Sequence, residues 1–560
     1  MKKPTDELPP LDRRSLITAA AAMAAAAVTP PALSAETEKA LQLAAANRNS
    51  SRRSKMKFPC DTMRDWIQLL DDYGLLMRLP RLDQDAYEVT ALAYRLMDMF
   101  GWYGAPAVLC DEVKIDGKWV KGPLIVNHQG HWDTEAMLFG MEPGDLPAGH
   151  GSHMYQRVID HFIKIVDEAG GKVPAIPPVV IPREKAPVKS VILTGDAIDL
   201  TKFAFIQSNP ADAGRYVNTG SVFTSDPELG MNYGTYRCQI RGKNILGVNP
   251  EPGQRAWKMF TEQRKRGEKF AKVSIVVGQD PMVWMISGSA LTKGNRDDEL
   301  ALAGGLRGKP VEVVKSETND HMIPAHAEMV IEGEVPLQEG DLPEGPFGEM
   351  YGYLGLKKDE NFWMRVTCIT HRPQPWIINQ FTGVTRGFCT APTEAFALYR
   401  FRKMLPGIVG MHSPVEATGW GIVSIDKTKP GQGLEIGRRV AQIIGLYKVV
   451  VVVDKDIDIF DRTEVMHIIG SRWQPYPAAE IIQSANGMPL DPSSPNRPKS
   501  SKIIIDATKQ WPEEGGPNVY PELNRDLLNK LAPDSFKLVD AQWDKYVRAW
   551  KKDGCPPRYP

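Results

Sequence analysis

Two glutamates in a short loop, Glu344 and Glu349, have the spacing in this chain that most suggests chemistry. They lie in Pro-Glu-Gly-Pro-Phe-Gly-Glu, residues 343–349, where glycine and proline exclude a helix and favour a bend. A bent loop that enters a strand can turn both carboxylates toward one cavity. Two acids held together away from water raise one pKa and create a proton donor near neutral pH. By spacing alone, a surface turn with two solvated acids is the commoner outcome.

A second segment, residues 231–239, combines an amide and an arginine: Met-Asn-Tyr-Gly-Thr-Tyr-Arg-Cys-Gln. The planar fork of Arg237 suits carboxylate or phosphate recognition. Asn232 and Arg237, five residues apart around a glycine, indicate a segment that faces a phosphate or a metal. An arginine that begins a strand also fits an ordinary surface ion pair.

Other site classes have little support in the sequence. The ten histidines form no HExxH and no two-histidine, one-carboxylate pattern. The pairs His128/His131 and His150/His153 lie in glycine-rich loops, and we expect them to be surface residues. The dinucleotide motif GxGxxG after a strand, the P-loop and the GxSxG of serine hydrolases are missing.

Charge and cysteine usage narrow the class of protein further. The formal net charge is zero, which argues against a general binder of nucleic acids or anionic membranes. A charged substrate must therefore be held by a local cluster of side chains. The six cysteines form no CxxC pair and are widely scattered, so neither a structural zinc site nor a disulfide framework is expected.

The N-terminus has the features of an export signal. Asp-Arg-Arg-Ser-Leu-Ile at residues 12–17 precedes an alanine-rich run and small residues that end at Ala35. A twin arginine before a weakly hydrophobic core resembles a Tat signal and predicts a periplasmic protein, or a cytoplasmic one if the leader is not functional. We assign residues 1–35 to this signal and the polar residues 36–57 to a linker, and expect no membrane span.

The remaining chain divides by hydrophobic periodicity. Alternating helices and strands predict an N-terminal α/β domain over residues 58–175. Short strands separated by turns dominate residues 176–372 and predict a β-barrel or sandwich. Residues 373–560 return to α/β, with a buried parallel strand at 448–454, a surface loop at 496–501 and a terminal helix at 539–552.

In order and spacing, these segments are similar to the UbiD family of prenylated-FMN decarboxylases, from Met63 to the C-terminus. Further matching segments are residues 297–299, 316–320, 327–328 and 448–458. The resemblance implies a mixed α/β fold: an N-terminal α/β domain, a central split β-barrel that binds the flavin, and a C-terminal α/β domain that forms homodimers or homohexamers.

The resemblance also implies roles for particular residues. Arg237 matches the family's catalytic arginine, which orients the substrate carboxylate. Glu344 and Glu349 match its two active-site carboxylates, with Glu349 as proton donor and Glu344 coupling it to Arg237. The implied cofactor and metal residues are Asn232 and Glu299 as ligands of a divalent metal, usually manganese with potassium nearby, Ser289 at the flavin, and Lys448 at its phosphate.

One departure from the family concerns the metal. The third metal ligand is usually a histidine about eighteen residues beyond the arginine, but this chain has Gly-Gln-Arg-Ala at residues 253–256. Gln254 offers a weaker carbonyl oxygen, or Arg255 contacts the phosphate directly. Either substitution changes the identity and affinity of the metal.

The implied enzyme is a carboxy-lyase that decarboxylates an aromatic or α,β-unsaturated acid reversibly and without oxidation. Loss of CO2 leaves electron density that only a cofactor can accept. The resemblance implies that this cofactor is prenylated FMN, supplied by a prenyl-flavin synthase. Met350, Phe381 and Phe388 are candidates for an apolar pocket around the substrate. Two alternatives stay open: a redox protein with unmodified FMN, and an exported binding or assembly subunit without activity.

Overall fold

The computed structural model describes residues 59–143, 152–289, 291–292, 298–542 and 545–546. These all belong to one compact unit, Ser51–Pro560. The signal and linker predicted for residues 1–57 lie outside the described residues, as does most of the predicted terminal helix at 539–552.

The N-terminal elements alternate as predicted. Their bounds are α1 Met63–Asp72, β1 Leu76–Asp83, α2 Glu88–Phe100, β2 Ala107–Ile115, β3 Lys118–Val126, α3 Trp132–Leu138 and α4 Ser152–Glu168. Helix α1 begins where Thr62 Oγ1 accepts a hydrogen bond from the Asp65 amide at 3.0 Å. It buries Met63, Trp66 and Leu69 at helical spacing.

The central region is rich in short strands. Its bounds are β4 Val179–Val180, β5 Val191–Thr194, β6 Tyr216–Val217, β7 Ser221–Asp226, β8 Gly230–Thr235, β9 Cys238–Gln239, β10 Ile245–Gly247, α5 Arg255–Lys265, β11 Phe270–Val277, α6 Pro281–Gly288, α7 Glu299–Arg307, β12 Glu312–Lys315, β13 Met322–Pro324, β14 Met329–Pro336, β15 Leu342–Glu344, β16 Lys358–Asn361, β17 Trp363–His371 and β18 Ile377–Asn379. The largest sheet has the order β10-β17-β14-β11-β7-β8, with β5 paired to β17. All its pairings are antiparallel. Strand β8, at its edge, leads into the segment that carries Arg237.

The C-terminal region forms a five-stranded sheet in the order β19-β20-β21-β23-β22. Its elements are α8 Ala391–Met404, β19 Ile408–His412, β20 Trp420–Ile425, α9 Gln432–Ile443, β21 Val449–Asp454, α10 Arg462–Arg472, β22 Ala479–Asn486, β23 Lys499–Asp506, α11 Asn524–Leu531 and α12 Ser535–Asp540. Strand β21 pairs in parallel with β20 and β23, which confirms the predicted buried parallel strand. The surface loop predicted for residues 496–501 was wrong, because β23 already begins at Lys499.

The mixed α/β class is confirmed. The central region also contributes one strand to the N-terminal sheet. Strand β18, the last element of the central region, pairs in parallel with β3 of the N-terminal sheet and completes the order β1-β2-β3-β18. Among the described helices, none is both long and apolar enough to span a membrane. The five cysteines within the described ranges are buried and unbridged.

Candidate active site

Arg237 lies between Glu344 and Glu349 and contacts both carboxylates. Its Nε and Nη2 donate to Glu344 Oε1 and Oε2 at 2.9 and 2.7 Å, a bidentate pair. Its Nη1 donates to Glu349 Oε1 in a short contact. The side chains of the two acids are 1% and 8% exposed. The structure therefore brings together the three residues that the sequence placed in one acid–base group, and they are not a solvated turn.

Residues 344–355, called the glutamate loop, comprise the last residue of β15 and the loop after it, and they hold the carboxylate of Glu349 toward Arg237. Gly345 has φ +75°, a conformation that favours glycine and bends the chain directly after Glu344. The amide of Glu349 donates to the carbonyl of Tyr353 at 2.9 Å, which closes a tight turn. A Cβ at Gly355 would lie 2.7 Å from Glu349 Cγ, so the absence of a side chain there leaves room for the acid.

Two aromatic residues that the sequence analysis did not assign to the site surround this group. Tyr216 donates its hydroxyl to Glu344 Oε1 at 3.2 Å. The ring of Phe347 lies 5.1 Å from Arg237 Cζ and packs against Tyr216 with ring centroids 4.5 Å apart. Phe347 belongs to the glutamate loop and could have been found there. Tyr216 is far away in sequence, and no motif marks it.

Burial sets the electrostatics of the site. It raises the pKa of Glu349 above its ordinary value, although the charge of Arg237 opposes the rise. Burial alone lowers the pKa of Arg237, but hydrogen bonds and charges of the two glutamates outweigh it, and the pKa is raised. Burial also raises the pKa of Asp212 to about 6. That carboxylate accepts from the amides of Gly348 and Asn209 at 2.8 and 2.9 Å, which attaches it to the glutamate loop.

A second charged group is formed by Arg255 and Glu299, next to Asn232. Glu299 is the first residue of α7 and is buried, and Arg255 Nη1 forms a short contact with its Oε1. Arg255 Nη2 donates to the carbonyl of Met231 at 2.6 Å. Asn232, buried on β8, approaches Tyr236 Oη at 3.5 Å. Burial raises the pKa of Glu299 to about 7 against the opposing charge of Arg255.

These residues do not fit a divalent metal. Glu299 is already neutralised by Arg255. Gln254, the predicted replacement ligand, is exposed, and its Oε1 accepts from the Glu251 amide at 2.6 Å. Within the described part of the chain, no cluster of three or more histidine, cysteine, aspartate or glutamate side chains could hold a metal ion.

The donors near this second group do fit a flavin mononucleotide. Thr235 at the end of β8 and Ser287 near the end of α6 share a hydrogen bond of 2.8 Å between their hydroxyls. Ser289 follows α6 and donates its hydroxyl to the Ile286 carbonyl at 3.0 Å. Hydroxyls, the Asn232 amide and the Arg255 guanidinium are the donor and acceptor types that phosphate and ribityl oxygens require.

Lys448 has contacts of a different kind. It immediately precedes β21, and its Nζ donates to Asp491 Oδ1 at 3.0 Å and to the hydroxyl of Ser493. These partners belong to the C-terminal region, so the described contacts of Lys448 do not join it to Arg237 or to Glu299. The lysine does lie near the glutamate loop, because Gly419 packs between Tyr351 and Lys448.

Of the three apolar candidates, Met350 and Phe381 lie at the glutamate loop, and Phe388 packs against the end of α6. Phe381 lines a cleft together with Phe347. The carbonyl of Met350 accepts from the hydroxyl of Thr418 at 3.2 Å, which ties the loop to the C-terminal region. The ring of Phe388 packs on Gly288, where a Cβ would lie 2.7 Å from the ring.

The histidine prediction needs a correction. His128 is 1% exposed, and burial lowers its pKa to about 3. His131 caps α3, where its Nδ1 accepts from the Asp133 amide at 3.1 Å. These two histidines are structural and not surface residues. The pair His150/His153 lies outside the described side chains.

Comparisons with known proteins give one result throughout. Residues 179–385 match the family profile of the Rift-related domain of 3-octaprenyl-4-hydroxybenzoate carboxy-lyase (UbiD), and residues 387–507 match its C-terminal domain. An uncharacterised protein of Archaeoglobus fulgidus is 32% identical over 369 residues, 64% of this chain and 74% of that protein.

Two further relatives are similar along most of the chain. The phenolic acid decarboxylase of Sedimentibacter hydroxybenzoicus is 27% identical over 472 residues, 81% of this chain and 93% of that enzyme. The structure of the UbiD-class enzyme HmfF of Pelotomaculum thermopropionicum in complex with FMN matches with a TM-score of 0.70 and 26% identity. That match covers 83% of this chain and 97% of HmfF.

Proposed function

This chain belongs to the UbiD family of carboxy-lyases, and on that premise we propose that it decarboxylates an aromatic or α,β-unsaturated acid reversibly with prenylated FMN. The observation that carries the proposal is a buried arginine shared between two buried carboxylates on one loop. When bound, the cofactor supplies the electron sink for the carbon that loses CO2.

Arg237 orients the substrate carboxylate in this proposal. Three hydrogen bonds join Arg237 to the two glutamates. Nε and Nη2 donate to Glu344, and Nη1 donates to Glu349. A substrate carboxylate accepts the hydrogen bond from Nη1 of Arg237 and displaces Glu349 from it. Glu344 keeps the guanidinium in place during this exchange and is therefore a positioning residue.

Glu349 is the proton donor. While it contacts Arg237, the positive charge opposes the rise in its pKa that burial causes. Once the substrate carboxylate has taken that contact, Glu349 loses the opposing charge and has a second anion beside it, so its pKa rises further. This rise favours the protonated acid, which delivers the proton to the carbon that has lost CO2. In the reverse direction, the same carboxylate removes that proton.

An aromatic acid is the substrate class that the surroundings favour. Phe381 and Phe347 line the cleft beside the glutamate loop, and Met350 belongs to the same loop. The similarity to a phenolic acid decarboxylase points the same way. The side chain of Arg237 is only 10% exposed, and this exclusion of water strengthens its contact with a carboxylate.

Assembly and location complete the proposal. We propose that a prenyl-flavin synthase supplies the cofactor, that the chain forms a homodimer or homohexamer, and that the twin-arginine leader at residues 1–35 directs export to the periplasm. Manganese, implied by the family resemblance, forms no part of the proposed mechanism because the donor set does not fit a divalent metal. Potassium, implied beside manganese, has no role in the proposed steps.

The test is expression of the full chain beside a prenyl-flavin synthase, followed by measurement of the absorbance spectrum and mass of the bound flavin. The loaded protein is then incubated with a panel of aromatic acids, and CO2 release and solvent deuterium exchange are followed. Release or exchange with at least one acid is expected. A protein that binds unmodified FMN and exchanges none of the acids would point instead to redox chemistry.

A further inference from the structure

The ion pair of Arg255 and Glu299 occupies the position at which the family resemblance implies a divalent metal. We infer that Arg255 replaces the metal and that the guanidinium binds the flavin phosphate directly. This inference rests on the proposed function, because it concerns the cofactor of the proposed reaction.

Glu299 already has a positively charged partner, Arg255. Its side chain is 6% exposed, and a carboxylate so buried needs a positive partner. Arg255 Nη1 provides it in direct contact with Oε1. A divalent ion bound to the same oxygen would lie within a few ångströms of the guanidinium, where two positive charges repel each other strongly. The arginine and the metal are therefore alternatives.

Two elements of the fold, α7 and β8, hold the guanidinium of Arg255 in place. Nη1 is held by α7 through Glu299, and Nη2 is held by β8 through the carbonyl of Met231. The residue after Met231 is the buried amide Asn232. This arrangement pre-organises the guanidinium beside Asn232, in the segment predicted to face a phosphate or a metal, so little side-chain entropy is lost when a ligand binds.

The side chain of Arg255 is partly open to a ligand. The side chain of Arg255 is 17% exposed, whereas that of its partner Glu299 is almost fully covered. The planar fork of arginine matches phosphate oxygens, and arginine stays protonated at every pH that the protein tolerates. Flavin binding should therefore depend neither on added metal nor on the protonation of a histidine.

The direct experiment measures metal and flavin in the same sample. The full chain, loaded beside a prenyl-flavin synthase, is dialysed with and without EDTA, and flavin is measured by absorbance and manganese by mass spectrometry. Manganese far below the flavin content, with flavin retained after EDTA, is expected. Manganese equal to flavin, with both lost to EDTA, would overturn the inference and leave the proposed decarboxylation intact.

The affinity of variants for FMN gives a second readout, which does not depend on enzyme activity. Arg255→Ala should weaken FMN binding on the order of 10- to 100-fold, the value of a charge-assisted hydrogen bond. Arg255→His should bind FMN only with added Mn²⁺ and release it with EDTA. Lys265→Ala, which removes an exposed charge from the same helix, is the matched control and should bind like the wild type.

Two further measurements keep the inference open to refutation if Arg255→Ala does not fold. The double variant with Arg255→Ala and Glu299→Gln removes both charges together and avoids an unpaired buried acid. It should fold and bind FMN as weakly as the single variant, and wild-type affinity would contradict the inference. Titration of the flavin-free wild type with Mn²⁺, followed by electron paramagnetic resonance, should show no tight site. A tight site would contradict the inference even if no flavin binds.

Discussion

Removal of Glu344 tests whether the buried pair with Arg237 exists as described. Glu344 accepts two hydrogen bonds from Arg237 and one from the hydroxyl of Tyr216. Its side chain is 1% exposed, and that of Arg237 is 10% exposed. The substitution Glu344→Ala leaves the guanidinium buried with only Glu349 as a carboxylate partner.

The size of the effect follows from burial. Removing one partner of a buried ion pair typically destabilises a protein by about 3–5 kcal/mol. Because Glu349 still contacts Arg237 after the substitution, we expect the lower end, about 3 kcal/mol. Glu344→Gln keeps the side-chain volume and an acceptor for Tyr216, so its effect should be smaller, on the order of 1–3 kcal/mol.

The assay is urea unfolding of the flavin-free protein, followed by tryptophan fluorescence. Glu262→Ala is the control, because the pair of Glu262 with Lys265 is 45% and 65% exposed. Such a surface pair contributes at most about 1 kcal/mol. If Glu344→Ala falls within about 0.5 kcal/mol of the wild type, as neutral surface changes do, the buried pair is not formed and the description of the site fails.

Two further predictions concern Asp212 and Gly355. Burial raises the pKa of Asp212 from 3.8 to about 6, so the folded protein holds a proton that the unfolded chain releases between those values. Asp212 should therefore remove about 3 kcal/mol of stability as pH rises through this window, so the stability of the wild type relative to Asp212→Asn should fall by that amount in urea unfolding at several pH values. Gly355→Ala places a Cβ 2.7 Å from Glu349 Cγ. This substitution should misplace the acid and lower the rate of deuterium exchange on the order of 10- to 100-fold, while the flavin content stays unchanged. An equal loss of flavin would contradict a local effect on Glu349.

Local sequence signals predicted the elements that depend on local interactions. The cap and apolar spacing of α1 are contained in a few consecutive residues, with Thr62 as the residue that caps the helix. The run of valines in β21 is buried on both faces, which its sequence requires. Strand β23 was missed at its start because Lys499 and Ser501 are exposed and polar, while buried residues alternate with them.

Contacts between distant segments could not be read from the sequence. The pairing of Arg255 with Glu299 spans 44 residues and depends on how α5 and α7 meet β8. Tyr216 reaches Glu344 across 128 residues and belongs to no motif. The acid–base group was identified because the family resemblance supplied the order of its residues. Its geometry, with Glu344 bidentate and Glu349 on the remaining nitrogen, required the structure.

The most direct test of the central claim is solvent deuterium exchange by the Glu349→Gln variant loaded with prenylated FMN. The substrate is whichever aromatic acid the wild type accepts, and bound flavin is measured in the same samples. Loss of a general acid typically lowers the rate by about 10²–10⁴-fold, so we expect exchange to fall by that factor while flavin content stays at the wild-type level. Exchange at the wild-type rate would show that Glu349 is not the proton donor.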